Sequence, residues 1–173
     1  LVAIAISRIS LAEASKAVVK GMEEMTVAAL IVGFARGITV VLDEGQILDT
    51  VIFSAAGVLQ HVPRYVAAEG MLVIQSILNF FIPSGSGQAA VTMPLMAPLS
   101  DVLGLTRQTA VFAFTCGDGF SNTVIPTSGI LMASLGLGKV PYDRWLRFMA
   151  PLLIQLFLIA AAFIAIMVAL NLQ

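Results

Sequence analysis

Gly117-Asp118-Gly119-Phe120-Ser121-Asn122-Thr123-Val124-Ile125-Pro126 interrupts sequence that is apolar on both sides. Residues 108–116 ahead of it have a helical, apolar pattern, and residues 127–137 resume that pattern behind it. Pro126 lacks the N–H that a continuous helix needs, and the glycines favour unwinding at 117–123. The reading is a broken helix over 108–137, its second half opened by Thr127 and Ser128. A second interruption, Pro83-Ser84-Gly85-Ser86-Gly87-Gln88, lies upstream. Its flanking arms are short. Glu69, Gln75, Ser76 and Asn79 interrupt the first, and Pro94 and Pro98 the second. Two such arms joined by a tight polar tip read as a re-entrant hairpin over 65–103. Non-helical backbone at membrane depth is tolerated only where protein or a water-filled cavity surrounds it.

The whole chain supports a membrane setting. Of its 173 residues, 59% are apolar and 11% charged, against roughly 25% charged in soluble domains. Mean hydropathy is +1.00. These values imply a lipid bilayer as the surrounding medium. A formal net charge of −1 and no basic stripe exclude a nucleic-acid partner. Cys116 is the single cysteine, so no internal disulfide is available, and it reads as a small buried apolar residue. Residues 142–170 form the cleanest span, introduced by Arg144, Trp145 and Arg147 as interfacial residues. Working back toward the start, 47–60 and 25–42 read as membrane helices, the second holding Arg36 between Gly33 and Gly37. Residues 9–24 place charges between apolar positions at helical spacing, which predicts a helix lying in the interface. Leu1–Ile6 is apolar from its first residue and reads as the end of a helix, so a longer protein is expected. The fold class expected is all-α, a polytopic membrane protein.

The chemistry is expected at the two interruptions. Half-helix N-termini present N–H donors and partial positive charge to a carboxylate. Unwound carbonyls and half-helix C-termini present oxygens to a cation. Ser84, Ser86, Ser121, Asn122 and Thr123 add oxygens without full charge. Gly85, Gly87 and Thr127 complete the candidate substrate-binding set. Asp118 is different in kind, because a carboxylate at such depth is costly and marks function. It can bind a cation, accept a proton, hold a substrate's amino group, or pair structurally with Arg36. With Gly119, Asn122 and Ser84 it forms the candidate ion site, for Na+ or H+ as coupling ion; hard cations take oxygen ligands. Asn79 and Arg36 are candidate cavity-lining residues. Enzymatic readings find little support. His61 is the lone histidine, at a membrane edge, and no Cys/His cluster has metal-ligand spacing. Ser84-Gly85-Ser86-Gly87 is followed by no Gly-Lys-Ser/Thr, so it is not a phosphate loop. No catalytic residue and no organic cofactor are expected.

Several ordered runs resemble a known family. They are Ala35-Arg36-Gly37-Ile38, Ser84-Gly85-Ser86-Gly87-Gln88-Ala89, Pro94-Leu95-Met96-Ala97-Pro98-Leu99, Gly117-Asp118-Gly119-Phe120 and Pro126-Thr127. Together they look like the C-terminal half of the YfcC branch of the DcuC-like C4-dicarboxylate anaerobic carrier family, within the wider ion transporter superfamily. The resemblance implies a two-repeat transporter of inverted topology, usually dimeric, in the cytoplasmic membrane. It implies that residues 1–173 are one repeat and that the N-terminal repeat is missing from them. Related transporters use Ser-Asn-Thr motifs for sodium and carboxylate. Ser121-Asn122-Thr123 matches that motif, whereas the hairpin tip reads Ser84-Gly85-Ser86 and departs from it.

The function expected is cation-coupled secondary transport of small carboxylate-bearing metabolites, dicarboxylates or amino acids, by alternating access. The alternative is a non-transporting membrane module, or a remnant that acts only with a partner chain.

Overall fold

A computed structural model describes residues 10–172. Within the first two helices some side chains, Arg36 among them, lie outside the described set, as do Leu1–Ile6 and Ile9. The regular elements among the described residues are all helices, without strands. The helices are α1 (Leu11–Glu44), α2 (Ile47–Leu59), α3 (Arg64–Phe81), α4 (Gly85–Val102), α5 (Arg107–Ser121), α6 (Gly129–Gly138) and α7 (Tyr142–Leu170).

Helix α1 joins what the sequence divides. The interfacial helix expected over 9–24 and the span expected over 25–42 are one continuous 34-residue helix. Its start is set by a capping box. Ser10 N–H and Oγ donate to Glu13 Oε2 at 3.0 and 2.8 Å, and Glu13 N–H donates back to Ser10 Oγ at 3.3 Å. These bonds to Ser10 hold the Glu13 carboxyl below the usual carboxylate range. The change from charged to apolar composition near Met25 alters the helix's surroundings without breaking its backbone.

Helices α3 and α5 form the centre. Ala67 and Ala68 on α3 and Ala110, Ala113 and Gly117 on α5 are all buried, and such small residues let helices approach closely. Gly117 marks the tightest point. A Cβ there would lie 2.8 Å from Gln75 Cβ and 3.1 Å from both Leu72 O and Ser76 N. Met71, Leu72 and Leu78 pack this core, with Met96 and Leu99 from α4 and Ile164 from α7. Phe120 on α5 meets Phe157 on α7 edge to face at 5.7 Å. The α4–α5 turn uses Gly104 at φ +65°, the left-handed cap that favours glycine. Thr106 then caps α5 by accepting from Thr109 N–H.

The outer surface suits lipid. Phe148, Ile154, Leu158 and Phe163 on α7 stand open, Phe148 at 70%. Contiguous apolar exposure of this kind marks contact with a non-aqueous neighbour. Among the described residues, α7 is the one helix long and apolar enough to cross a bilayer by length and composition.

Candidate functional site

Three helix ends converge on one cavity of about 600 Å³. Pro83, Ser84 and Gly85 bring the N-terminus of α4. Asn122 and Thr123 bring the C-terminus of α5, and Ser128 and Gly129 the N-terminus of α6. Trp145 of α7 closes one wall.

Both breaks sit slightly away from where the sequence places them. The expected unwinding at Gly117-Asp118-Gly119 does not occur. α5 continues to Ser121, and the non-helical stretch is Asn122–Ser128. The physical reason is packing: Gly117 is the contact point with α3, so its missing side chain serves helix approach. Likewise Gly85, Ser86 and Gly87 form the first turn of α4 and not a loop, with Ser84 as N-cap accepting from Gly87 N–H at 3.4 Å.

Hydrogen bonds from two helices, α3 and α7, fix the broken segment and the end of α5 before it. Asn79, fully buried on α3, donates through Nδ2 to Ser121 Oγ at 2.7 Å and to the Asp118 carbonyl at 3.0 Å. Ser121 Oγ in turn donates to the Gly117 carbonyl. Thr127 Oγ1 donates to the Phe80 carbonyl at 2.9 Å, tying the segment to the end of α3. From α7, Trp145 Nε1 donates to the Thr123 carbonyl at 2.9 Å and Tyr142 Oη to the Val124 carbonyl at 2.5 Å. Carbonyls orphaned where a helix ends need such partners.

Asp118 sits between the two interruptions. Its Oδ1 accepts from Asn122 Nδ2 at 2.9 Å, and its Oδ2 lies against Gly85, where a Cβ would stand 2.9 Å away. A carboxylate at the start of α4 suits the positive end of that helix.

The candidate residues therefore divide. Ser84, Gly85, Asn122 and Thr123 line the cavity. Asp118 lies behind this wall, held by Asn122. Ser121 and Thr127 spend their hydroxyl protons on carbonyls, as does Thr123 on that of Phe120. Ser86, Gly87 and Gly119 are outside the cavity lining, and Gly119 has open space around it. Asn79 supports the segment from beneath, and the Arg36 side chain is outside the described set. Tyr142 was passed over in the sequence, and Ser128, read there with Thr127 as opening the second half-helix, was given no part in the site. The signal for Ser128 was its position as a serine directly before a glycine-initiated apolar run.

The chain matches a model of the DcuC family, C4-dicarboxylate anaerobic carrier, over residues 1–169. It belongs to that family. The family's description is that of a carrier. The chain is 45% identical over 147 residues to the Escherichia coli K12 protein named "Putative basic amino acid antiporter YfcC". That alignment covers 82% of the chain and 29% of the relative. A Haemophilus influenzae Rd protein named "Uncharacterized protein" is 34% identical over 165 residues, covering 95% of the chain and 32% of that protein. The chain thus spans about a third of the length of these relatives. No solved structure matches it.

Proposed function

We propose that residues 1–173 are one repeat of a cation-coupled secondary carrier for small carboxylate-bearing metabolites. Transport would proceed by alternating access in the cytoplasmic membrane, with the hairpin over 65–103 re-entrant and 108–137 a broken membrane helix. The observation that carries this reading is the meeting of two helix N-termini and one helix C-terminus around one cavity. N-termini favour an anion and a C-terminus favours a cation, so such a meeting point can hold a carboxylate beside a coupling ion. Asp118, Asn122, the Gly119 carbonyl and Ser84 are the proposed ion-binding groups, for Na+ or H+. The missing repeat and a second copy of the chain would complete the assembly. The family description favours dicarboxylates as cargo, and the name of the Escherichia coli relative favours basic amino acids and exchange.

A thermal-shift screen of the full-length protein tests the reading. Ligands that bind only the folded state raise its melting temperature. Succinate or L-arginine should raise it, more so with sodium if sodium couples. No shift with any dicarboxylate or amino acid sinks the substrate class.

A further inference from the structure

The cavity has two helix N-termini, and they are not equivalent. At the start of α4 a carboxyl group of the protein already stands close. Asp118 Oδ2 lies against Gly85, and Ser84 Oγ is engaged as the cap of Gly87 N–H. At the start of α6 neither holds. Ser128 occupies the N-cap position in extended backbone, φ −72° and ψ 106°, yet its side chain makes no capping bond. No acidic residue stands in the first turn of α6. Ser128 is only 7% exposed, and its hydroxyl has no hydrogen-bond partner among the described residues. Ser128 forms part of the cavity wall, together with Gly129 and Ile130. Ser84 and Thr106, the N-caps of α4 and α5, both turn their hydroxyls back onto their own helices. A hydroxyl on a cavity wall that no protein group engages is free to bond a ligand or water.

We infer that the cargo's carboxylate docks at the N-terminus of α6, on the Ser128 hydroxyl and the free N–H groups that follow it, rather than at the hairpin tip. The inference rests on the carrier reading above and makes it more specific. The first N–H groups of a helix have no partner within it, and the axial dipole adds attraction for a negative group. Where Asp118 is ionised, the hairpin tip repels a second carboxylate. It offers instead a negative group near the cavity for a cation or for the cargo's own amine. This repeat would thereby supply one carboxylate subsite among its described residues.

The test uses the full-length protein in detergent with three probes: L-arginine, succinate, and agmatine, which is arginine without its carboxylate. Variants are Ser128→Ala, Ser84→Ala, Gly129→Pro and Gly129→Ala. Proline is tolerated at the first helical position, and the ψ of Ser128 already suits a residue that precedes proline. Gly129→Pro therefore removes an N–H while keeping the helix, and Gly129→Ala controls for added bulk. The expected result is that L-arginine or succinate stabilises the wild type, whereas agmatine does so less. Ser128→Ala and Gly129→Pro should each weaken carboxylate binding about tenfold, in line with loss of a hydrogen bond to a charged group. Gly129→Ala should bind like wild type; Ser128→Ala, Gly129→Pro and Gly129→Ala should keep the unliganded melting temperature, whereas Ser84→Ala, which removes the α4 cap, should lower it without weakening carboxylate binding. Wild-type affinity in both Ser128→Ala and Gly129→Pro overturns the inference. So does loss of carboxylate binding in Ser84→Ala alone. A lower unliganded melting temperature in Ser128→Ala with unchanged affinity assigns it a structural role and overturns it too. A wild type that answers to neither succinate nor L-arginine removes the carrier reading itself, and the subsite with it.

Discussion

Replacing Gly117 and Gly119 by alanine, one at a time, should move stability in opposite directions. Both glycines sit in α5, two residues apart, and both have helical neighbours. At Gly117 the added methyl meets Gln75 Cβ at 2.8 Å and two backbone atoms of α3, Leu72 O and Ser76 N, at 3.1 Å. Backbone atoms cannot rotate away, so α5 must move from α3 by several tenths of an ångström. That movement stretches the Asn79 bonds to Ser121 and Asp118, now 2.7 and 3.0 Å. Overpacking of this kind costs about 1–3 kcal/mol, which lowers the folded-to-unfolded ratio roughly five- to 150-fold. At Gly119 nothing lies within 4 Å. Only helix propensity changes there, and alanine should stabilise by up to about 1 kcal/mol. Thermal unfolding of the detergent-solubilised full-length protein, read side by side, is the assay. Gly117→Ala should melt lower than wild type and Gly119→Ala level or higher. Equal melting temperatures for the two variants would refute the claim that Gly117 sets the α3–α5 approach.

Other consequences follow from the same geometry. Trp145→Phe and Tyr142→Phe each orphan one carbonyl of the broken segment and should each cost about 1 kcal/mol of unfolding free energy. Because Thr123 and Val124 are adjacent, the double variant should deviate from additivity by more than about 0.5 kcal/mol, read from denaturant unfolding in detergent. The capping box of α1 depends on pH. The Glu13 carboxyl titrates below its ordinary value in the folded state, so its contribution is complete above the unfolded value and is lost as pH falls through the lowered one. Protection factors at residues 11–14, which remove the intrinsic slowing of exchange in acid, should fall as pH drops for the wild type, and Ser10→Ala should be poorly protected already at neutral pH.

The two interruptions were legible because glycine and proline inside apolar sequence leave few alternatives. Their exact placement was not. Gly117-Asp118-Gly119 has the composition of an unwound segment, but Gly117 is there so that α5 can touch α3, a tertiary fact with no local signature. Thr127 and Ser128 both read as opening the second half-helix; Ser128 takes the N-cap position, and Thr127 is committed to the Phe80 carbonyl forty-seven residues back. Trp145 reads from sequence as an interfacial anchor. Its bond to Thr123 gives it a second duty that only three-dimensional proximity reveals. The charged start of α1 looked like a separate surface helix because charge pattern reports surroundings, while the backbone responds to capping and to glycine or proline.

The central claim is that the hairpin tip and the broken helix form one working site. It is tested most directly by uptake of labelled succinate and L-arginine into proteoliposomes holding full-length wild type, Asn122→Ala or Asp118→Asn in equal, correctly inserted amounts. The account expects uptake by the wild type and only background uptake by both variants. Transport at the wild-type rate by both variants would contradict it.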